Sequence, residues 1–166
     1  MLGIIDGDTV VEARMSVFVR GQMLAGVEPG AVFGDVPPSG DGRPEGEPTA
    51  TSCMTVAMDQ PARYAEASLD DNPIHIDRDF AAKAGLPDII LQGLCTMAIT
   101  LSQAVAFHGG DPRALAYGSV RFSGFVLNGD LLTTRAWTQD DGSLALVTLG
   151  PSGKPVITNA VARFRA

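Results

Sequence analysis

The densest gathering of reactive side chains lies between Tyr64 and His75, where Ser68, Asp70, Asp71 and Asn72 lead into Pro73 and His75 follows. Asp70 and His75 stand five residues apart across the Asn72-Pro73 step. A proline keeps the residue before it out of the helical region, and an asparagine amide ties down nearby backbone, so this turn can converge the carboxylate and the imidazole on one water. An imidazole titrates near neutrality and a neighbouring carboxylate tunes it. Such a pair suits a reaction in which one proton is accepted and another donated. The same residues also read as a solvated turn beside a satisfied core histidine. A second feature is Leu91-Gln92-Gly93-Leu94, where a glycine opens the longest helical segment. Free N–H groups at a helix N-terminus polarise an anionic oxygen, and glycine lets a carbonyl approach the backbone closely. That outlines an oxyanion hole, while many helices begin at glycine for the turn alone. Other nucleophile arrangements fare poorly: Ser68 lacks a Gly-x-Ser-x-Gly elbow, and neither Cys53 nor Cys95 has a histidine near it in sequence.

The elements that must position these groups follow from periodicity and punctuation. Thr51 to Met58 reads as a strand, and Asp59 as the cap of a short helix through Ala67 with Pro61 in its first turn. A second short helix runs from Asp77 to Lys83, closed by Gly85 with Pro87 beyond. From Gly93 to His108, Leu94, Met97, Ala98, Leu101, Ala104 and Val105 recur along one stripe, which predicts a core helix ended by Gly109 and Gly110. Extended runs follow at Leu115 to Val126, Leu131 to Thr138, Ser143 to Leu149 and Pro155 to Phe164. The separators Asn128-Gly129-Asp130, Asp140-Asp141-Gly142 and Pro151-Ser152-Gly153 read as hairpin turns. One helix followed by a meander is an α+β pattern with the helix on one sheet face.

With 166 residues, 45% apolar and 19% charged, the chain has the material of a single core. Its formal charge of -7 leaves no basic excess, which argues against a nucleic-acid partner. The nearly uncharged stretch from Ala84 to Gly110 is interrupted by Gly85, Pro87, Asp88 and Gln92, so no membrane helix is expected. Without a cationic start or a signal-length apolar run, a cytoplasmic location follows by default. Cys53 and Cys95 match no metal spacing and read as small buried thiols. Two histidines in the whole chain argue against a His-rich metal site.

Gly21 to Pro48 holds 12 Gly or Pro among 28 residues and reads as a linker. Before it, Gly7, Val10, Val11, Met15, Ser16 and Phe18 echo Gly153, Val156, Ile157, Val161, Ala162 and Phe164 at an offset of 146. Thr9 to Arg20 thus reads either as the closing strand of a duplicated unit or as a chance likeness of two amphipathic strands.

The run Tyr64 to His75, continued by Phe80-Ala81 and by Leu91-Gln92-Gly93-Leu94-Cys95-Thr96, resembles the hydratase 2 motif of MaoC-like enzymes, the (R)-specific enoyl-CoA hydratases and dehydratases. The likeness covers Thr49 to Ala166, including Val120-Arg121-Phe122-Ser123-Gly124 and Asn128-Gly129-Asp130. It implies a hot-dog fold, an antiparallel sheet wrapped around the helix at Gly93 to His108. By position it makes Asp70 and His75 the catalytic pair holding water, Asn72 the brace of their loop, and the Gly93 N–H, with Leu94 beside it, the site of the thioester oxygen. The implied reaction is reversible syn hydration of a trans-2-enoyl thioester of coenzyme A or acyl carrier protein, with no metal and no cofactor beyond that substrate. Two positions depart from the pattern: Leu69 stands where the family usually has glycine, and Gln92 where histidine is frequent. Residues 1–20 look like the end of a first hot-dog repeat, residues 21–48 like a linker and residues 49–166 like the MaoC-like domain. An orphan strand needs a partner, so a homodimer or a heteromer with a first-repeat subunit is expected. A hot-dog thioesterase and a non-catalytic acyl-binding or partner subunit are the alternatives. Arg113 and Arg121 are the candidate phosphate contacts on an acidic chain, and both also read as ordinary solubilising surface.

Overall fold

The structure, a computed structural model, describes residues 2–5, 8–12 and 44–165. The chain divides into two compact units, Met1–Val36 and Pro37–Ala166. In the first, β1 (Leu2–Ile5) pairs antiparallel with β2 (Asp8–Glu12). The strand expected over Thr9 to Arg20 therefore begins within β2, and its part beyond residue 12 lies outside the described residues. Most of the expected linker lies there too, and residues 44–48 carry no helix or strand.

The second unit contains β3 (Ala50–Thr55), α1 (Gln60–Ser68), α2 (Arg78–Lys83), α3 (Gly93–Phe107), β4 (Leu115–Phe122), β5 (Leu131–Thr138), β6 (Leu144–Leu149) and β7 (Pro155–Phe164). The five strands form one antiparallel sheet in the order β3-β5-β6-β7-β4, packed on α3 in the hot-dog arrangement. Alternation builds the inner face: Leu132, Thr134 and Ala136 on β5, and Leu144, Leu146 and Thr148 on β6, are all buried. Outward-pointing Trp137, Val147 and Leu149 form a small second cluster, and the Trp137 indole N–H donates to the Gly46 carbonyl at 3.0 Å.

The meander expected from sequence holds for β5, β6 and β7, whose turns carry Gly142 at φ 79° and Gly153 at φ 74°. It fails for β4, which pairs with β7 at the far edge. Asn128-Gly129-Asp130 is accordingly no hairpin turn but the end of a crossover. There the Gly129 N–H donates to the Val56 carbonyl and the Val56 N–H to the Asp130 carbonyl, both at 2.9 Å, which delivers the chain beside β3. The run into β4 also ends early, at Phe122, because the Ser123 and Gly124 N–H groups both turn onto the Val156 carbonyl. β3 stops at Thr55 rather than Met58, since a tight turn from Ala57 to Gln60 starts α1.

Helix ends show where side-chain chemistry decides. Asp77 caps α2 by accepting from the Phe80 N–H at 3.0 Å. Asp59 occupies the same place before α1 without capping it; its carboxylate turns to Arg63 at 3.8 Å. The expected stripe of α3 holds at Ala104 and Val105 and is displaced in the first half of the helix. Cys95, Thr96, Ile99, Thr100, Ala104 and Val105 are buried, whereas Leu94 is half exposed. Threonines enter the core because their hydroxyls are satisfied there. Thr100 Oγ1 donates to the Thr96 carbonyl at 3.1 Å and meets Thr148 Oγ1 at 2.8 Å, which in turn meets Thr134 Oγ1 at 3.0 Å. Only Cys95 is a buried thiol. Cys53 is exposed, because it stands on the outward face of edge strand β3, with its Sγ 3.5 Å from Thr133 Oγ1.

On β4, Gly118 lies against α3, and an added Cβ there would lie 2.6 Å from Leu101 Cδ1. Gly118→Ala should therefore lower unfolding stability by about 1–3 kcal/mol in urea titration. In a Leu101→Ala background the same change should cost less, since the clashing methyl group is gone.

Candidate active site

α1 ends on Leu69 in the left-handed conformation, φ 61° and ψ 22°, with its N–H returning to the Ala65 carbonyl. The turn that the family usually builds with glycine is thus present, made by a residue for which it is strained. Its side chain is 85% exposed and offers no packing in return. Next, the Asp70 N–H donates to Ser68 Oγ at 3.2 Å, while that hydroxyl donates to the Tyr64 carbonyl at 2.6 Å. Asn72 braces the loop: its Oδ1 accepts from the Ile74 N–H at 3.3 Å and its carbonyl from the His75 N–H at 2.9 Å. Pro73 to His75 thereby form one 3-10 turn that drives the imidazole inward. His75 is buried with Nδ1 2.7 Å from the Ile90 carbonyl. A carbonyl only accepts, so the neutral ring carries its proton on Nδ1 and keeps its lone pair on Nε2.

The stretch Ile90 to Gly93 runs against this loop. The Ile90 N–H donates to the Ile74 carbonyl at 3.1 Å and the Leu91 N–H to the Val126 carbonyl at 2.7 Å. Ile90 also bridges Leu127 antiparallel, so the segment behaves as a short extra strand. Gln92 is wholly buried; its Nε2 donates to the Pro61 carbonyl at 3.0 Å and lies 3.5 Å from the Asp70 carbonyl. Its Oε1 has no hydrogen-bond partner among the described residues. The first turn of α3 closes with the Thr96 N–H donating to the Gln92 carbonyl at 3.1 Å, so the N–H groups of Gly93, Leu94 and Cys95 precede the helical ladder. Gly93 is exposed and faces the Phe122 ring, 3.4 Å from where a Cβ would stand.

Hydrogen bonds thus tie the segments that carry Asp70, Asn72, His75 and Gly93: the Asp70 carbonyl faces the Gln92 amide next to Gly93, and the His75 ring meets the Ile90 carbonyl. Leu94 is half exposed at the second position of α3. Sequence reasoning missed the loop contacts of the Ser68 hydroxyl, the Ile90 carbonyl and the contacts of the Gln92 amide. The last had a signal, a lone polar residue ending the apolar run Ile89-Ile90-Leu91. A backbone carbonyl has none. Beside this loop, burial raises the Tyr64 phenol, helped by negative charge at Cys95 and Asp70, and burial raises the Cys95 thiol against a lowering hydrogen bond from Gln60. Arg113 is engaged by Asp111 through two hydrogen bonds of 3.0 Å, while Arg121 is exposed on β4. Cavities of 440 Å³ beside Asp141 and Arg163 and 470 Å³ beside Phe125 and Lys154 are lined by other residues than these.

Comparison with known proteins agrees with this architecture. The model of the MaoC like domain family matches residues 41–160, and the chain belongs to that family. It is 33% identical over 93% of its length to the peroxisomal multifunctional enzyme type 2 of Drosophila melanogaster, covering 25% of that protein. It is 32% identical over 94% of its length to enoyl-CoA hydratase ChsH3 of Mycobacterium tuberculosis, covering 52% of that protein. The chain thus spans about half or less of the length of these curated relatives. The solved structure of the full-length Drosophila enzyme superposes on 82% of the chain and 25% of its own with a TM-score of 0.74 at 34% identity.

The two thiols should differ sharply toward a disulfide reagent. Cys53 should react in the native protein, and Cys95, buried and raised above the usual thiol range, only at more alkaline pH or on unfolding. A thiol titration with and without denaturant, one equivalent against two, checks this.

Proposed function

We propose that the chain catalyses the reversible syn addition of water to a trans-2-enoyl thioester, giving the (R)-3-hydroxyacyl thioester. The observation that carries this reading is the His75 hydrogen bond to the Ile90 carbonyl, which leaves the Nε2 lone pair of the neutral ring as a proton acceptor. Asp70 and His75 hold one water between them. As its oxygen bonds to C3, one of the pair takes its proton, and a proton is delivered to C2 from the same face; dehydration reverses both transfers. Negative charge passing to the thioester oxygen is met by the Gly93 N–H at the start of α3, where backbone donors and the helix dipole favour it. Asn72 keeps the loop in shape.

Membership of the MaoC-like family and likeness to a relative named enoyl-CoA hydratase support this reading. The substrate needs no further cofactor in this scheme, and its carrier is coenzyme A or an acyl carrier protein. The neighbour of the domain is a second hot-dog domain, from another copy or a first-repeat subunit. β4 offers it an open sheet edge with Tyr117 and Phe122 half exposed.

The test is the loss of enoyl-thioester absorbance with crotonyl-CoA and a longer trans-2-enoyl-CoA, repeated with the acyl carrier protein esters. Asp70→Asn and His75→Ala should each lower kcat by roughly 100-fold or more with the fold intact. Gly93→Ala should fold, because only the movable Phe122 ring lies near the new methyl, and should lose about tenfold or more as its Cβ crowds the oxyanion donor. A folded wild-type protein inert toward every one of these thioesters would contradict the proposal.

A further inference from the structure

We infer that Gln92 is a positioning residue, holding the Asp70 peptide in register with the N-terminus of α3. This rests on the reading of Asp70 and His75 as the acid–base pair. The Gln92 amide faces two carbonyl oxygens, that of Pro61 at 3.0 Å and that of Asp70 at 3.5 Å. Neither can donate, so the nitrogen must point toward them, and a flipped amide would set Oε1 against both. Its Oε1 is buried without a partner among the described residues, a penalty that a methionine of similar length would not carry. What the amide contributes therefore lies on its nitrogen side.

The loop depends on such polar ties. Leu69, Asp71 and Asn72 are exposed, so little apolar packing fixes the path of the chain around Asp70. Its N–H is held by Ser68 Oγ and its carbonyl faces Gln92. Because Gln92 immediately precedes Gly93, one side chain sets the spacing between the carboxylate-bearing loop and the backbone donor of the thioester oxygen. The Pro61 contact makes α1 the third fixed point. Sub-ångström placement of reacting groups controls the chemical step far more than substrate affinity. Loosening this tie should accordingly lower kcat and leave KM nearly unchanged.

The experiment compares wild type with Gln92→Met, which keeps the bulk and removes the donor, and Gln92→His, which restores one ring N–H. Each is assayed on a trans-2-enoyl thioester that the wild type turns over and followed by amide hydrogen exchange. Gln92→Met should lose at least tenfold in kcat with KM within threefold, and peptides spanning residues 68–72 should exchange faster while α3 keeps its protection. Gln92→His should recover most of the lost kcat. If Gln92→Met does not fold, Gln92→Asn, one methylene too short to reach both carbonyls, replaces it with the same expectations. Unchanged exchange in residues 68–72 and unchanged kcat would overturn the inference and leave the hydration reading standing. A wild type inert on enoyl thioesters would sink that reading instead, and the exchange comparison would still decide whether Gln92 holds the loop.

Discussion

The shortest of the backbone ties that seat the candidate site is the hydrogen bond from the Leu91 N–H to the Val126 carbonyl at 2.7 Å, beside the Ile90–Leu127 bridge. It pins the stretch Ile90 to Gly93 against the crossover that follows β4. Three consequences sit on neighbouring residues. The Ile90 carbonyl sets the tautomer of His75, the Gln92 side chain lies between α1 and the Asp70 loop, and Gly93 opens α3. Groups drawn from distant parts of the chain thus share one support, the kind of placement that the proposed acid–base chemistry requires.

That support rests in turn on how α3 is seated on the sheet. Gly118 admits Leu101 where any larger residue would collide, and the chain of Thr134, Thr148 and Thr100 hydroxyls fixes the helix in register against β5 and β6. A purely apolar interface would pack as well but would tolerate sliding more easily. Satisfied buried hydroxyls are directional, and a shift of the helix would leave them unpaired at a cost of about 1–3 kcal/mol each. The helix N-terminus is therefore held along its axis as well as against the sheet.

How much of this was legible in the sequence follows from how local each cause is. Turns and helix ends read well where one residue decides: Gly85, Gly142 and Gly153 all adopt positive φ, and Asp77 caps α2. The Asn72-Pro73 step, the His75 turn and the α3 start at Gly93 also read from sequence, as did the α+β class. The partner of β4 did not, since pairing with β7 rather than β5 is a tertiary choice that Asn128-Gly129-Asp130 cannot announce. Nor did the buried face of the first half of α3, because threonine scores as polar until the hydroxyls that satisfy it are in view. Leu69 is a different case: a turn usually built on glycine is strained for leucine, and the surrounding structure imposes the left-handed conformation on it all the same. The Ile90 carbonyl was invisible, as every residue possesses one.

The most direct measurement is a crystal structure of the protein with a bound (R)-3-hydroxyacyl thioester. The account predicts the thioester oxygen within hydrogen-bond distance of the Gly93 N–H and the 3-hydroxyl between the Asp70 carboxylate and His75 Nε2, with Nδ1 still on the Ile90 carbonyl. A ligand whose hydroxyl lies away from that pair, or a His75 ring turned to present Nδ1 to it, would contradict the account.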